Sequence, residues 1–388
     1  MNRTLYGVAA VTTALLAGAT ACSEPPKASL SAPPAAKTSA TPSPAPKERG
    51  FTLVASGDVL PHASIIRQAK ADAGGAGHDF RPMLAGARPV VEKADLAICH
   101  METVYGPKEG PFSGYPSFVS PPEVAAALRA TGYDSCSTAS NHTLDAGAAG
   151  IRRTLGALDA AGIAHAGSAR TAAESRTPAW LKAGTAKVAQ LAYTYGTNGY
   201  PTPPGQPWAV NQTDRRKVIA DAKAARKAGA DVVVVSLHWG SEWQDAPDDV
   251  QLRLGRALTA STTGGRPDID LILGTHAHVP QAYEKVNGTW IVYGMGDQVA
   301  GLMINYSGAH DMRGNQSSIG RFTFAPPKAP GRRWEVAKAE FLPQFFDPGT
   351  NRANDLTAEG AGHGDVRDRI SKVVLSRGAA DDGLVMGR

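Results

Sequence analysis

Histidines and carboxylates recur along this 388-residue chain in short segments that follow apolar runs. Neutral imidazole and ionised carboxylate are the ligands that hard or borderline divalent metals take. Brought together, they would form a site of the kind that hydrolyses phosphoesters with two metal ions. The segments are Gly57-Asp58 with His62, His100-Met101-Glu102, Asn141-His142 with Asp145, His238-Trp239-Gly240 with Glu242, His276-Ala277-His278 and Gly296-Asp297.

Each member of this set also has a structural explanation when it is taken singly. Asp58 could cap a turn, Asn141 could cap a helix, and His238 could be a hydrogen-bonded core histidine. His276 and His278 fit such explanations less well, because two residues apart in extended chain their imidazoles project from the same side. The combination is therefore more specific than any of its parts.

Apolar, often β-branched runs precede most of these segments, as is typical of strands covered on both faces. The polar residues thus follow the carboxyl ends of predicted strands, which is the sheet edge where open α/β folds bind ligands. We therefore expect them to converge in space. The predicted strands are 51–56, 95–99, 133–138, 188–193, 231–237, 270–273 and 290–293.

Alanine-rich helical stretches separate the predicted strands, at 122–131, 151–161, 214–228 and 248–260. Asp214 and Asp248 stand near two helix starts, where a carboxylate suits the helix dipole. The later chain differs, since Asn287-Gly288 predicts a hairpin turn and 318–324 and 334–341 read as antiparallel strands. The sequence predicts an α/β fold, with a central mixed sheet or a pair of packed sheets flanked by helices.

The first 49 residues predict export rather than folding. Residues 1–21 combine Arg3, an apolar stretch and small residues, which is typical of a secretory signal peptide. Ala19-Thr20-Ala21-Cys22 resembles a bacterial lipobox, which predicts lipidation of Cys22 and anchoring on the outer face of the cell membrane; plain secretion is the alternative. Residues 22–49, rich in Pro, Ala and Ser, predict a tether.

The other two cysteines and the charge add two expectations. Cys99 and Cys136 lie near the ends of predicted strands, so they form either a disulfide or two buried thiols. The net charge of +5 is spread along the chain without a basic cluster. The sequence therefore carries no nucleic-acid signature.

Six motifs, in order, resemble those of the poly-gamma-glutamate capsule biosynthesis (CapA) family: G-D-V-L, D-L-A-I-C-H-M-E-T, S-N-H-T-L-D-A-G, S-L-H-W-G-S-E-W, G-T-H-A-H-V-P-Q and V-Y-G-M-G-D. The resemblance covers a domain at 50–345 and leaves 346–388 as a C-terminal extension with one helix. That family is similar to the calcineurin-like metallophosphoesterases. The resemblance therefore implies a four-layer α/β fold, two packed mixed β-sheets flanked by helices, with a metal site at one sheet edge.

The resemblance also implies roles for individual residues. Asp58 would bind the first of two divalent ions (manganese, iron or zinc), Glu102 would bridge them, and His142 would act as a general acid toward the leaving group. The further implied metal ligands are Asn141, His238, His276 and His278.

Several positions depart from the family pattern or stand beside it. His100 replaces an asparagine and would be an additional ligand or a donor to one; Asp297 could hold a ligand histidine or shape a turn. His62 is close enough to line the pocket. Trp239 and Glu242 could line the substrate site, although packing is the more common use of tryptophan.

Two functions follow from these expectations. The first is a cell-surface metal-dependent hydrolase that acts on a phosphoester, a polyglutamate-like polymer or a cell-wall amide polymer. The second is a non-catalytic, membrane-anchored accessory for synthesis or export of an anionic polymer, working with partner proteins of capsule synthesis. A phosphate-binding G-x-x-x-x-G-K-[ST] loop is absent from the sequence, so ATP-driven polymerisation is not expected.

Overall fold

Each apolar run that the sequence predicts to be a strand overlaps a strand of the computed structural model, which describes residues 49–329 and 332–388. In chain order the strands are β1 (Phe51–Leu60), β2 (Leu96–Met101), β3 (Val104–Tyr105), β4 (Val119–Ser120), β5 (Ser135–Ser137), β6 (Ala164–Ala166), β7 (Ala179–Ala183), β8 (Ala186–Thr194), β9 (Val232–His238), β10 (Thr262–Thr263), β11 (Arg266–Pro267), β12 (Leu271–Thr275), β13 (Tyr283–Val286), β14 (Thr289–Val292), β15 (Asp297–Ala300), β16 (Gln316–Ala325), β17 (Glu335–Asp347), β18 (Arg352–Asp355) and β19 (Leu384–Met386).

The predicted signal peptide at 1–21, Cys22 and nearly all of the predicted tether at 22–49 lie outside the described residues. Export and lipidation therefore stay predictions. Within the described part of the chain, none of the helices has the length and apolar character needed to cross a membrane.

Most strands belong to two mixed sheets. The first has the order β18-β17-β16-β1-β2-β5-β6, with β15 also paired to β1 and β19 to β17. The second has the order β13-β14-β12-β9-β8-β7; its inner strands run parallel, and both edge strands are antiparallel to their neighbours. Strand pairs β3-β4 and β10-β11 stand apart from these sheets. The hairpin predicted at Asn287-Gly288 is confirmed, as the β13-β14 turn.

The two sheets pack face to face. Each inner strand contributes to two apolar cores, because successive side chains of a strand point to opposite faces. Leu53 and Ala55 of β1 enter the core between the sheets, where they join Val234 of β9. Val54 faces the outer core of the first sheet and Val235 the outer core of the second. Burial on both faces explains the continuous apolar runs in the sequence.

Helices cover the two outer faces and complete four layers. Leu128 of α3 (Glu123–Thr131) and Ile151 of α4 (Gly147–Ala161) pack on the first sheet. Val218 of α5 (Arg215–Lys227) and Leu258 of α6 (Asp249–Thr259) pack on the second. The expected arrangement of two packed mixed β-sheets flanked by helices is confirmed. The helices are α1 (Ala63–Asp72), α2 (Arg88–Val91), α3 (Glu123–Thr131), α4 (Gly147–Ala161), α5 (Arg215–Lys227), α6 (Asp249–Thr259) and α7 (Gly364–Val374).

The aspartates expected near two helix starts are N-caps. The Asp214 carboxylate accepts a hydrogen bond from the backbone N–H of Lys217 at the start of α5. Asp248 accepts one from Gln251 at the start of α6, and the Gln251 side chain returns one to the backbone of Asp248, forming a capping box.

Residues 346–388 contain helix α7 and also add strands to the first sheet. Strand β18 pairs antiparallel with β17, and β19 pairs parallel with it. Ile370 and Val374 of α7 enter the same apolar cluster as Leu384 of β19. This segment is therefore packed into the core rather than attached at its surface.

Cys99 and Cys136 form a disulfide, which decides between the two alternatives that the sequence left open. The residues lie opposite each other on the parallel strands β2 and β5, with their Cα atoms 4.4 Å apart. The bond joins adjacent strands directly beside His100.

Candidate metal centre

Most of the predicted site residues meet at one edge of the sheet pair, and Asp58 is placed there by an irregularity in β1. Ala55 pairs with Ile98 of β2, yet Asp58 pairs with His100, so β1 holds one extra residue between these pairs. A Cβ at Gly57 would lie 1.8 Å from the carbonyl oxygen of Gly296, which leaves room only for glycine. The bulge thus turns Asp58 toward the edge.

His100 stands at the end of β2 with its imidazole held from behind. Its Nδ1 lies 2.7 Å from the Ser137 hydroxyl on β5. Its Nε2 lies 3.5 Å from Asp58 Oδ1. The hydrogen bond at Nδ1 fixes the ring so that Nε2 faces the carboxylate.

His238 ends β9 and brings a nitrogen from the second sheet into the same cluster. Its Nε2 lies 3.0 Å from Asn141 Oδ1 and 3.7 Å from Glu102 Oε1. Its Nδ1 lies 3.7 Å from Asp58 Oδ1. The imidazole therefore lies among three side-chain oxygen atoms that come from separate loops and strands.

His276 and His278 follow β12, but not in the extended conformation that the sequence suggested. Their φ angles are 92° and 58°, a left-handed backbone that costs non-glycine residues about 1–3 kcal/mol each. The backbone N–H of His276 donates to Asp58 Oδ2 at 3.2 Å. His278 Nδ1 lies 2.9 Å from Asp297 Oδ1. The left-handed turn after β12, rather than the alternation of side chains along an extended strand, brings both imidazole rings to the site.

The donor atoms form two groups that share Asp58. Within each group the atoms lie within 4.8 Å of one another, close enough to hold a metal ion. The resemblance placed Glu102 at the shared position, whereas this geometry gives that position to Asp58. The groups are Asp58, His100 and His238, and Asp58, Glu102, His278 and Asp297.

Several buried polar atoms at this sheet edge have no hydrogen-bond partner among the described residues. Buried polar atoms are normally paired, and an uncompensated buried charge costs several kcal/mol. A divalent cation would satisfy a whole cluster of them, so the residues fit a metal. The unpartnered atoms are Asp58 Oδ1, His100 Nε2, both carboxylate oxygens of Glu102, His276 Nδ1 and Asp297 Oδ2.

Burial shifts the pKa values of these groups, as expected for a cluster of ionisable side chains. Burial, followed by the Asp297 carboxylate, raises the pKa of Asp58 to about 8, and burial raises that of Glu102 well above its ordinary value. Burial lowers the pKa of His238. Burial also opposes protonation of His278, but Asp297 and Glu102 outweigh it and raise that pKa. A bound cation would favour ionised carboxylates and neutral imidazoles at this position, because metal ligands bind in their deprotonated forms.

His142 lies beside the two groups, with a carboxylate partner of its own. Its Nδ1 is 2.7 Å from Asp145 Oδ2, and both side chains are almost fully buried. The Phe118 ring meets the imidazole edge-on, with centroids 4.7 Å apart. With Nδ1 engaged by Asp145, Nε2 is the nitrogen left for another partner.

The remaining predicted residues are placed differently. His62 borders the site: its Nδ1 lies 3.0 Å from the Leu60 carbonyl, and burial lowers its pKa to about 4. Glu242 is half-buried, and its charge contributes to the raised pKa of Glu102. Trp239 is not brought to the site, since it is buried and its indole N–H donates to the Tyr293 carbonyl in the core.

Two aromatic residues lie next to the cluster, and sequence reasoning missed one of them, Tyr195. The Tyr195 ring lies 4.5 Å from that of His276, centroid to centroid. Tyr195 directly follows β8, so the strand-end pattern could have found it had aromatic residues been included. Trp243 has its centroid 6.1 Å from that of His278, and its backbone N–H donates to the Ala277 carbonyl.

Comparison with known proteins relates the amino-acid sequence of this chain to a bacterial family. Residues 52–302 match the family model described as bacterial capsule synthesis protein PGA_cap. Capsule biosynthesis protein CapA of Bacillus anthracis is 28% identical over 181 residues, which are 46% of this chain and 42% of that protein. PGA biosynthesis protein CapA of Bacillus subtilis (strain 168) is 30% identical over 179 residues, 46% and 45% of the two chains.

A probable polyglutamine synthesis accessory protein of Mycobacterium tuberculosis (strain CDC 1551 / Oshkosh) is 32% identical over 191 residues, 46% of this chain and 48% of that protein. The chain thus spans less than half the length of the curated relatives it matches. Among solved structures, a putative 5′-nucleotidase from Staphylococcus aureus is 13% identical with a TM-score of 0.47, covering 84% of this chain and 58% of that chain.

Proposed function

This chain belongs to the bacterial capsule synthesis protein family PGA_cap, and from that premise we propose that it is a cell-surface, metal-dependent hydrolase. It acts by phosphoesterase-like chemistry in the synthesis or processing of poly-gamma-glutamate or another capsule polymer. The observation that carries the proposal is the convergence of buried, unpartnered carboxylate and imidazole atoms at one sheet edge. The names of the Bacillus relatives support the link to capsule polymer.

The site would hold two divalent ions, manganese, iron or zinc. When bound, such ions polarise a phosphoryl oxygen and make water more acidic. Ligand type does not separate the three metals, because all accept mixed imidazole and carboxylate donors. The residues that would hold the ions are Asp58, His100, Glu102, Asn141, His238, His276, His278 and Asp297.

The proton for the leaving group would come from His142. Asp145 accepts a hydrogen bond from Nδ1 and stabilises the protonated ring, so Nε2 can donate to the alcohol oxygen as the P–O bond breaks. The Phe118 ring limits how far the imidazole can turn. His142 would then regain a proton from water after the alcohol leaves.

Anchoring through Cys22 is part of the proposal, as are an anionic polymer substrate and partner proteins of capsule synthesis. Radiolabelled fatty acid should be incorporated by the full chain and lost in the Cys22→Ala variant. Release of the unlabelled parent into the medium would favour plain secretion instead.

Elemental analysis of the purified protein, followed by hydrolysis assays with the matching metal, tests the hydrolase. We expect about two ions per chain and turnover of phosphoesters. The Glu102→Gln variant should lose both, whereas Glu359→Gln, an exposed acid outside the site, should keep both. A metal-loaded parent that turns over neither phosphoesters nor polyglutamate would contradict the proposal.

A non-catalytic accessory role is the second candidate, favoured by the name of the Mycobacterium tuberculosis relative. In that case polyglutamate binding should survive in the Glu102→Gln variant although metal is lost. Binding that disappears with the metal would instead tie the polymer to the metal centre.

A further inference from the structure

Asp245 lies in the loop after β9, and two arginines from much later in the chain bind its carboxylate. Arg369 on α7 donates from Nη2 to both carboxylate oxygens, at 2.7 and 2.6 Å. Arg313 donates from Nη1 to Oδ1 at 3.2 Å. Arg369 also donates from Nη1 to the side chain of Gln316, the first residue of β16, at 2.6 Å. The family match ends at residue 302, so these contacts join a loop inside the matched region to residues beyond it.

Helix α7 holds Arg369 in a fixed position. The next residue, Ile370, is fully buried, and so is Val374 one turn later. Both belong to the apolar cluster that fills the space between the two sheets. The Arg369 side chain exposes only 26% of its surface. Arg369 therefore projects from a helix that cannot shift without opening the core.

Trp243, two residues before Asp245, contacts the turn that carries His276 and His278. Its backbone N–H donates at 2.9 Å to the carbonyl of Ala277, the residue between the two histidines. Its ring centroid lies 6.1 Å from that of His278. The loop that carries Asp245 is therefore bonded directly to the backbone of the histidine turn.

Gln281, three residues after His278, bonds to the same loop on both sides of Asp245. Its fully buried side chain donates from Nε2 to the Gln244 carbonyl at 2.8 Å and to the Ala246 carbonyl at 3.3 Å. The residues before and after Asp245 are thus fixed to the segment that follows the histidine turn. Asp245 itself is bonded to the arginines.

His276 and His278 need this support because their backbone is left-handed, with φ angles of 92° and 58°. Such conformations persist in non-glycine residues only where the surrounding structure holds them. Trp243 in the neighbouring loop is also left-handed, with φ 67°. The bond between Arg369 and Asp245 joins this strained loop to a fixed helix. If that bond were lost, relaxation of the loop would release the turn and move both imidazoles.

We propose that Arg369 is a positioning residue of the metal centre and that it holds His276 and His278 in place through Asp245. The inference rests on the proposed function, because it takes these histidines to be metal ligands. It gives residues 346–388, which lie beyond the matched family region, a role in metal binding as well as in the core.

The dependence on Arg369 should differ between the two ions. His278 belongs to the donor group that contains Glu102, whereas the other group takes its imidazoles from His100 and His238. Loss of a residue that holds a ligand in place lowers metal affinity by about 10- to 100-fold. In Arg369→Gln we therefore expect one ion to bind about tenfold or more weakly, and the affinity for the other ion to change less.

Calorimetric titration of the metal-stripped full chain with manganese(II), and separately with zinc(II), measures the two affinities. Arg367→Gln is the matched control and should bind both ions as the parent does. Arg367 lies on the same helix, and within the described chain its side chain hydrogen-bonds only to the exposed Asp368. Arg369→Lys should recover part of the lost affinity, because an ammonium group keeps the charge but not the paired contact to Asp245.

Asp245→Asn removes the same bond from the loop side and should weaken the same ion. The Asp245→Asn/Arg369→Gln variant should lose no more affinity than the weaker of the two single variants, because both changes remove one interaction. Thermal melting shows whether each variant is folded. If Arg369→Gln does not fold, Arg369→Lys and Asp245→Asn decide the question by the same criterion.

Two ions bound by Arg369→Gln as tightly as by the parent would overturn the inference and leave the proposed function standing. An equal loss of affinity in Arg367→Gln, or additive losses in the double variant, would overturn it as well. A parent that binds neither manganese nor zinc would instead contradict the metal centre of the proposed function.

Discussion

The carboxylate of Asp145 accepts a hydrogen bond from His142 Nδ1 across 2.7 Å, and the same oxygen accepts one from the backbone N–H of Phe118, also at 2.7 Å. Since an ionised carboxylate can only accept, Nδ1 carries a proton and Nε2 is the nitrogen that can exchange one. The Phe118 backbone fixes the carboxylate in turn. The imidazole therefore has a defined tautomer and a restricted orientation.

His142→Ala should reduce kcat in a way that depends on the leaving group. Loss of a general acid costs about 10²–10⁴-fold, and we expect a loss in that range with an alkyl phosphate. Hydrolysis of p-nitrophenyl phosphate should fall much less, because nitrophenolate leaves without a proton. Steady-state kinetics on both esters, with metal content measured in parallel, checks this. Equal losses on the two esters would mean that His142 does not protonate the leaving group.

Asp145→Asn should weaken the same step while leaving the metal in place. The amide cannot stabilise a protonated imidazole, so we expect an intermediate loss of about 10-fold or more on the alkyl ester. His142→Ala/Asp145→Asn should be no slower than His142→Ala alone, because the two side chains act as a unit. Additive losses in the double variant would show that Asp145 acts elsewhere.

Gly57→Ala should lower metal affinity although it changes no donor atom. A Cβ there would lie 1.8 Å from the Gly296 carbonyl oxygen, so the bulge that presents Asp58 has to move. Gly156→Ala is the matched control, since that exposed position in α4 has open space and should gain about 0.5–1 kcal/mol of stability. Metal titration and thermal melting of both variants check the pair. Unchanged affinity in Gly57→Ala would contradict the placement of Asp58 by the bulge.

Metal binding to the metal-free protein should strengthen as the pH rises toward about 8 and should release protons. The Asp58 carboxyl, with its pKa raised to about 8, is protonated at neutral pH and has to lose that proton to hold a cation. Below that pKa, the affinity for the metal falls about tenfold for each unit by which the pH is lowered, for each proton that the metal has to displace. Calorimetry in buffers of different ionisation enthalpy counts the protons. Affinity that is constant between about pH 6 and about pH 8 would contradict this.

The Cys99–Cys136 disulfide should stabilise the protein against unfolding. It closes a sequence separation of 37 residues, for which restriction of the unfolded chain predicts about 3–4 kcal/mol. Both sulfurs are buried, so the Cys99→Ala/Cys136→Ala variant is a cleaner test than a reducing agent. Denaturant unfolding of the parent and the variant measures the difference. Equal free energies of unfolding would show that the bond adds nothing to stability.

Most of the fold could be predicted from the sequence, because its signals are local. Runs such as 231–237 are apolar throughout, which indicates burial on both faces, and β9 is buried along its length. Asn287-Gly288 has the residue types that a hairpin turn requires. Asp214 and Asp248 stand where helices begin. The pattern of polar residues after strands also gave the sheet edge at which the site lies.

The detailed site could not be predicted, because it depends on backbone that departs from regular strands. The extra residue in β1 places Asp58 in both donor groups, and its one signal in the sequence, Gly57, does not specify the register of the strand on either side. The left-handed turns at His276 and His278 replace the extended geometry that spacing alone suggested. The partner of His142 was close in sequence, but its hydrogen bond depends on how the segment after β5 folds.

The hydrogen bond from His276 to Asp58 joins residues 218 positions apart in the chain. Closing so long a loop carries a high entropic cost, so contacts of this kind form late in folding. The two donor groups contain residues from both sheets, so they are complete only after the sheets have docked. Before that, the chain offers no assembled metal centre to an ion. An ion captured at that stage would act chiefly on the rate of unfolding, because the interactions that it adds are absent from the folding transition state. Loading with metal would thus lengthen the lifetime of the folded protein without making it fold faster.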